Sequence, residues 1–311
     1  MITITRMIIV TTITTPMNTS MSMALHTLTK LNQIPAARVS NLRASFVNKN
    51  GQTLLASKYH TAPIKIAKAF PLNGPVGVIV MDVSPGLLAG DRYELDWRLG
   101  ADAHLYVTNQ SFTKVHPCLE LSRGASLSQT FQLAPGAIVE SMPEPIMLFK
   151  DAVFINDTEV ELASGSVWMQ AEVLCPGRTL RGEQFVYRAY RNRLKVNYEG
   201  QLIFAQNQFI LPETQHLSAP GCFDKMTHTG VFYAFSDRIT NKHIESVRTA
   251  LDNFSTREGH PVLTSISVTH KHGLAVMAAG TAAWSLQEVL RCAWQALRLS
   301  LLGMEPLRLG K

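Results

Sequence analysis

Two periods organise the chain. From Leu42 to Phe235 apolar residues recur mainly at every second position, and beyond Thr240 they recur at helical spacing. Tyr93, Leu95, Trp97 and Leu99 alternate with Arg92, Glu94, Asp96 and Arg98, which predicts a strand with one buried and one wet face. Leu42 to Phe46 and Leu54 to Lys58 flank Asn48-Lys-Asn-Gly51, a hairpin signal because Asn-Gly accepts the positive φ of a tight turn. Ile64 and Ile66 alternate with lysines, and Val76 to Val83 is a nearly continuous apolar run that suits a strand covered on both faces. Phe185 to Tyr198 reads as a hairpin turning at Arg191-Asn-Arg193. A second turn at Glu199-Gly200 leads into Leu202 to Phe209. Val231 to Phe235, Val262 to Val268 and Leu274 to Met277 supply further strands.

An internal repetition is laid over this pattern. Leu99-Gly-Ala-Asp-Ala, Leu133-Ala-Pro-Gly-Ala and Leu162-Ala-Ser-Gly-Ser each close one alternating run and open the next, 34 and 29 residues apart. The near-constant spacing predicts a mainly β chain, an elongated, twisted stack of β-hairpins with a solenoid-like character. Two helices follow near the C-terminus. Ile244, Val247, Leu251 and Phe254 mark the first; Leu286, Val289, Leu290, Trp294, Leu297 and Leu301 mark the second, which Gly303 ends. Ser285-x-x-Glu288 matches a capping box at its start.

Composition narrows the class. Hydrophobic residues make up 46% of the 311 and charged residues 17%, enough for a sizeable core. We expect one domain over 37–311 and a disordered extension over 1–36, whose apolar run Met7-Ile-Ile-Val10 is too short for a signal peptide core. Limited proteolysis should trim about thirty residues from the N-terminus and spare the rest; a clean cut near the middle would contradict a single domain. No run reaches the roughly 20 apolar residues of a membrane span. Cys118, Cys175, Cys222 and Cys292 lie far apart, as suits reduced thiols in the cytoplasm. The net charge of +6 permits an acidic partner without requiring nucleic acid. Arg178, Arg181, Arg188, Arg191, Arg193 and Lys195, interleaved with Phe185, Tyr187 and Tyr190, fit either a solvated hairpin face or phosphate contacts with stacking.

No phosphate-binding Gly-x-x-x-x-Gly-Lys-[Ser/Thr], Gly-x-Ser-x-Gly or His-Glu-x-x-His is present, which favours a binding protein over an enzyme. The candidate chemistry lies in turns. Pro85-Gly86 and Gly90 precede Asp91, and Thr108, Thr113 and Lys114 follow one strand pair later. Glu140-Ser-Met-Pro-Glu144-Pro145 leads to Phe149, and Gly177-Arg178 leads through Gly182-Glu183 to Phe185. Asp91, Glu140, Glu144 and Glu183 are thus carboxylates held beside Gly or Pro. They could handle a divalent cation briefly, or accept backbone N–H bonds in their own turns. His116-Pro-Cys118 and His270-Lys-His272 are the only metal-like His/Cys pairs, too few for a structural zinc site.

These three motifs, in this order, resemble the signature of the urease accessory protein D family, called UreH in some organisms. The resemblance runs from about Asn41 to the C-terminus. It implies a β-rich fold with a few helices and a urease maturation factor without catalysis of its own. Such a factor forms a complex with accessory proteins F and G, the latter a GTPase, docks on apo-urease and supports nickel insertion. Nickel would travel through its interior and be handled transiently, with no tightly bound cofactor, no nucleic acid and no membrane involved. Asp91, Glu140, Glu144 and Glu183 would touch the ion, while Gly86, Gly90, Thr108, Thr113, Lys114, Arg178 and Gly182 are motif positions. The chain departs from the family at Leu87 and Ala89, where glycines are usual, and in its tail, Glu305-Pro-Leu-Arg-Leu-Gly-Lys311. Two readings compete. One is a β-solenoid carbohydrate hydrolase with Glu144 and Glu183 as its carboxylate pair; the other is a passive β scaffold.

Overall fold

The computed structural model describes residues 38–120, 123–220, 222–255 and 260–307; the expected extension over 1–36 lies outside them. Among the described residues the chain is mainly β, with two helices near the C-terminus and no closed barrel. One sheet contains β1 (Arg38–Lys49), β2 (Gln52–His60), β5 (Asp91–Leu99), β8 (Ala125–Leu133), β11 (Val153–Leu162), β13 (Ala189–Tyr198) and β14 (Gln201–Ile210). Its inner members β1, β5, β8, β11 and β13 run parallel, and the hairpin partners β2 and β14 close its edges. The second sheet contains β3 (Ile64–Pro71), β4 (Val76–Asp82), β6 (His104–Asn109), β9 (Ile138–Ser141), β12 (Val167–Cys175), β15 (His228–Phe235), β16 (Val262–Val268) and β17 (Gly273–Gly280). There β4, β6, β9 and β12 are parallel. The short β7 (Thr113–Val115) and β10 (Ile146–Leu148) extend it beside β12.

The repeated leucines stack as expected, since Leu99, Leu133 and Leu162 are register partners. The repeats are not hairpins, however. Each turn carries the chain from the first sheet to the second, and each strand pairs in parallel with its counterpart one repeat away. Period-two alternation is the same in both arrangements, so the pattern alone could not separate them. The turns share one geometry. Ala103, Ala137 and Ser166 each donate to the carbonyl three residues back, and Asp102, Gly136 and Gly165 supply the positive φ. The expected turn at Arg191-Asn-Arg193 is also corrected: β13 runs straight through it, and Asn192 faces inward. Asn50-Gly51 and Glu199-Gly200 do turn, both residues of each pair at positive φ.

The sheets face each other over a core that joins Trp97 and Phe131 of the first to Trp168 and Phe235 of the second. Helices α1 (Asn241–Asp252) and α2 (Ala283–Leu297) cover the outer face of the second sheet. Leu286, Val289, Leu290, Trp294 and Leu297 are buried there against Met169, Val173, Phe232 and Val276. Ser285 caps nothing: α2 begins at Ala283, and Ser285 lies buried inside the first turn. The extended Ala282 holds the N-cap position instead, without a side-chain bond. The capping contact belongs to α1, where the Thr240 N–H donates to His243 Nδ1 at 3.0 Å. No helix among the described residues is long and apolar enough to cross a membrane.

Candidate functional site

A polar band crosses the apolar interior. On the first sheet Gln129 sits between Leu127 and Phe131, and Asn156 and Thr158 sit between Phe154 and Val160; Asn192 continues the band on β13. Ser141 and Gln170 are register partners on the second sheet, and Glu172 lies two residues beyond Gln170 on the same face. Glu172 is enclosed by donors from the opposite sheet. Asn192 Nδ2 reaches it at 2.6 Å, Asn156 Nδ2 at 2.9 Å and the Tyr190 hydroxyl at 3.1 Å. Burial pushes the Glu172 carboxyl up to about 7 against these three donors. Asn156 Oδ1, Thr158 Oγ1 and Gln170 Oε1 are buried with no protein partner. Buried oxygens of this kind are rarely left unsatisfied, which marks a place for water or a cation.

An interior cavity of about 120 Å³ lies toward one end of the band, bordered by Tyr93, Gln129, Thr108, Ser141, Asp82 and Lys114. The motif loops build its mouth. Gly86, at φ +133°, lets Leu87 donate to the Lys114 carbonyl at 2.9 Å; a Cβ on Gly86 would lie 2.5 Å from that oxygen. Gly90 also has positive φ, and Asp91 Oδ2 accepts the Leu88 N–H at 2.9 Å, closing the turn. Thr108 is buried, Thr113 donates its N–H to Pro145 and Lys114 is exposed. The departures fit: Leu87 fills the core at its position, and Ala89 points into solvent.

Glu140 is placed elsewhere, wholly buried between the second sheet and α2. His104 Nε2 lies 2.6 Å from Oε1, Trp294 Nε1–H donates to Oε2 at 2.6 Å, and Arg298 Nη1 donates to Oε1. Burial would raise the carboxyl, but His104 and then Arg298 outweigh it and hold Glu140 below the ordinary glutamate range. An ionised Glu140 accepts only, so His104 Nε2 carries the proton of that bond. Arg298, also wholly buried, ties the network to the Glu305 carbonyl at 2.9 Å and the Asn73 carbonyl at 3.4 Å.

Glu183 forms a clasp with Arg178. Arg178 Nε donates to it at 2.7 Å, Nη2 adds a second bond, and the Lys150 N–H donates at 3.2 Å. The guanidinium lies 4.2 Å above the Phe149 ring, and Gly182 ends the intervening turn at φ 75°. Arg178 keeps the Glu183 carboxyl below its usual range. Arg178→Ala should therefore speed tryptic cleavage at Arg181 with little change in Tm; unchanged cleavage there would rule out the clasp. Glu144 is half-buried in a groove beneath α2, where Gln287 Nε2 donates to it at 3.0 Å. Glu183 does not border that groove, so the two carboxylates of the hydrolase reading do not face each other across it. Trp97, Trp168 and Trp294 are buried, and Trp284 is exposed beside His260.

Among the described residues no three His, Cys, Asp or Glu side chains converge as a metal site. The four carboxylates singled out from the sequence are thus dispersed. Tyr187 and Tyr190 are buried, Phe185 packs on Phe223 and Arg193 pairs with Asp157, so the aromatics of the basic run are engaged within the fold. Sequence reasoning missed Glu172, Asn156, Asn192 and Gln170. The available signal was a polar residue at an inward position of an alternating strand, such as Gln129 between Leu127 and Phe131.

Fold and site define a two-sheet β scaffold with a band of polar side chains in its core. The sequence profile of the UreD urease accessory proteins matches residues 38–309. A urease accessory protein UreD of Acetivibrio thermocellus is 32% identical over 245 residues, 78% of this chain and 90% of that protein. Those of Haloarcula marismortui (26% over 265 residues, 84% and 86%) and Haemophilus influenzae strain KW20 (29% over 257 residues, 78% and 96%) are also similar. The chain belongs to the UreD family of urease accessory proteins.

Proposed function

We propose that this protein is a urease maturation factor that docks on apo-urease with other accessory proteins, one of them a GTPase, and lets Ni²⁺ reach the active site through its interior. The observation that carries the reading is the inward-facing polar band from Gln129 and Ser141 to Glu172, which includes buried oxygens that no protein group satisfies. Carboxylate and amide oxygens are weaker nickel ligands than imidazole or thiolate, so they conduct an ion rather than retain it. Of the carboxylates suggested by the sequence, Glu144 stays available at the approach to this route, in the groove beneath α2. Asp91, Glu140 and Glu183 serve turns, helix docking and a loop clasp. The four free cysteines support action in the cytoplasm.

Leu119 and Leu180 stand fully in solvent, as suits surfaces that a partner covers. Expressed alone, the protein should be poorly soluble. Co-expressed with urease and the accessory proteins, it should co-purify with both. A monodisperse monomer that ignores both in a pull-down would sink the proposal.

A further inference from the structure

The second sheet is interrupted between β9 and β10. β9 pairs with β12 as far as Ser141 and Gln170, and pairing resumes only at Ile146 and Leu174 in β10. Between these points the four residues 142–145 face the three residues 171–173 without a ladder. The sequence supplies the reason: Pro143 and Pro145 have no N–H to donate, and prolines do not sustain a central strand. Glu144, between them, gives its N–H to Asn109 Oδ1 at 2.5 Å instead.

On the helix side of this break lies a groove of about 580 Å³, walled by Tyr106, Leu290, Trp294, Gln287 and Arg291. Two residues connect it with the inside. Pro143 borders both this groove and the interior cavity. Glu172 borders the groove although its carboxylate is held by Asn156, Asn192 and Tyr190, all from the opposite sheet. A residue bonded across the sandwich that also lines a groove outside it stands in an opening.

We propose that the break at Pro143 and Pro145 is a side port through the second sheet, by which a small divalent cation crosses between the groove beneath α2 and the interior. Glu144 stands at its outer lip and Glu172 at its inner end, so the crossing is flanked by carboxylates. The bond from Gln287 to Glu144 makes α2 the cover of the port. This inference rests on the nickel-passage reading and adds where the ion crosses the sheet.

Two cysteine reporters test it. Gln170 shares the strand and inward face of Glu172 but lies beside intact pairing with Ser141. In the full-length protein purified from co-expression with its accessory proteins, Glu172→Cys should react with a small cationic methanethiosulfonate about tenfold faster than Gln170→Cys, read as mass gained by each peptide. Adding Gln287→Trp, which fills the groove, should slow Glu172→Cys about tenfold and leave Gln170→Cys unchanged. If Gln287→Trp does not fold by circular dichroism, Arg291→Trp fills the same groove. Equal rates at the two reporters, or a Glu172→Cys rate indifferent to the tryptophan, overturn the port. Nickel in co-expressed urease separates the two ideas. A tryptophan that blocks labelling while urease still fills with nickel leaves the port standing and removes the passage reading.

Discussion

Arg298→Met is expected to destabilise the protein by about 3–5 kcal/mol, the range for removing one partner of a buried ion pair. Both Arg298 and Glu140 are wholly buried, so the variant would leave a carboxylate without its guanidinium far from water. It would also free the Glu305 and Asn73 carbonyls that Arg298 holds. Glu140→Gln combined with Arg298→Met removes the stranded charge and should recover much of the loss, because an apolar or neutral replacement of a whole buried pair is far less costly. Denaturant titration of the single and double variants measures both effects. A double variant no more stable than Arg298→Met would contradict the assignment. The pH dependence has a definite sign. The folded-state pKa of Glu140 lies below its ordinary value, so its contribution is present above the glutamate range and disappears as pH falls through the depressed value. Glu140→Gln should flatten that acid limb.

Glu172→Gln should act in the opposite direction on stability and still impair function. Its carboxyl is pushed up to about 7, so folding loses stability as pH rises from the ordinary glutamate range to that value. Glutamine cannot ionise and avoids the loss. The variant should melt higher than the parent at about pH 8, by a gain that vanishes near about pH 4. Yet it removes the carboxylate that Asn156, Asn192 and Tyr190 enclose in the interior band, and urease matured with it should contain several-fold less nickel. A gain in stability with a loss of delivery is what a functional buried charge predicts. A Tm that falls at both pH values would mean that Glu172 is held for the fold.

The alternating strands, the Asn50-Gly51 and Glu199-Gly200 turns and the apolar stripe of α2 were legible in the sequence because each is a local, periodic signal. The crossing of the chain between sheets at Leu99, Leu133 and Leu162 was not, since a strand buried on one face looks alike whichever neighbour it pairs with. The site was less legible than the fold. Carboxylates beside Gly and Pro stood out, but Glu183 and Asp91 are occupied within their own loops, and Glu140 is committed to Arg298, 158 residues away. Glu172 carries no local mark. It becomes conspicuous only when Asn156 and Asn192 arrive from the strands before and after its own, each one crossing away in the opposite sheet.

The most direct measurement is the nickel content of urease produced with and without this protein. Urease and the remaining accessory proteins would be co-expressed in both cases, and nickel per active site determined by metal analysis of purified urease. The account predicts assembled urease nearly devoid of nickel when this protein is omitted, and restored loading when it is supplied. Equal nickel content in the two preparations would contradict it.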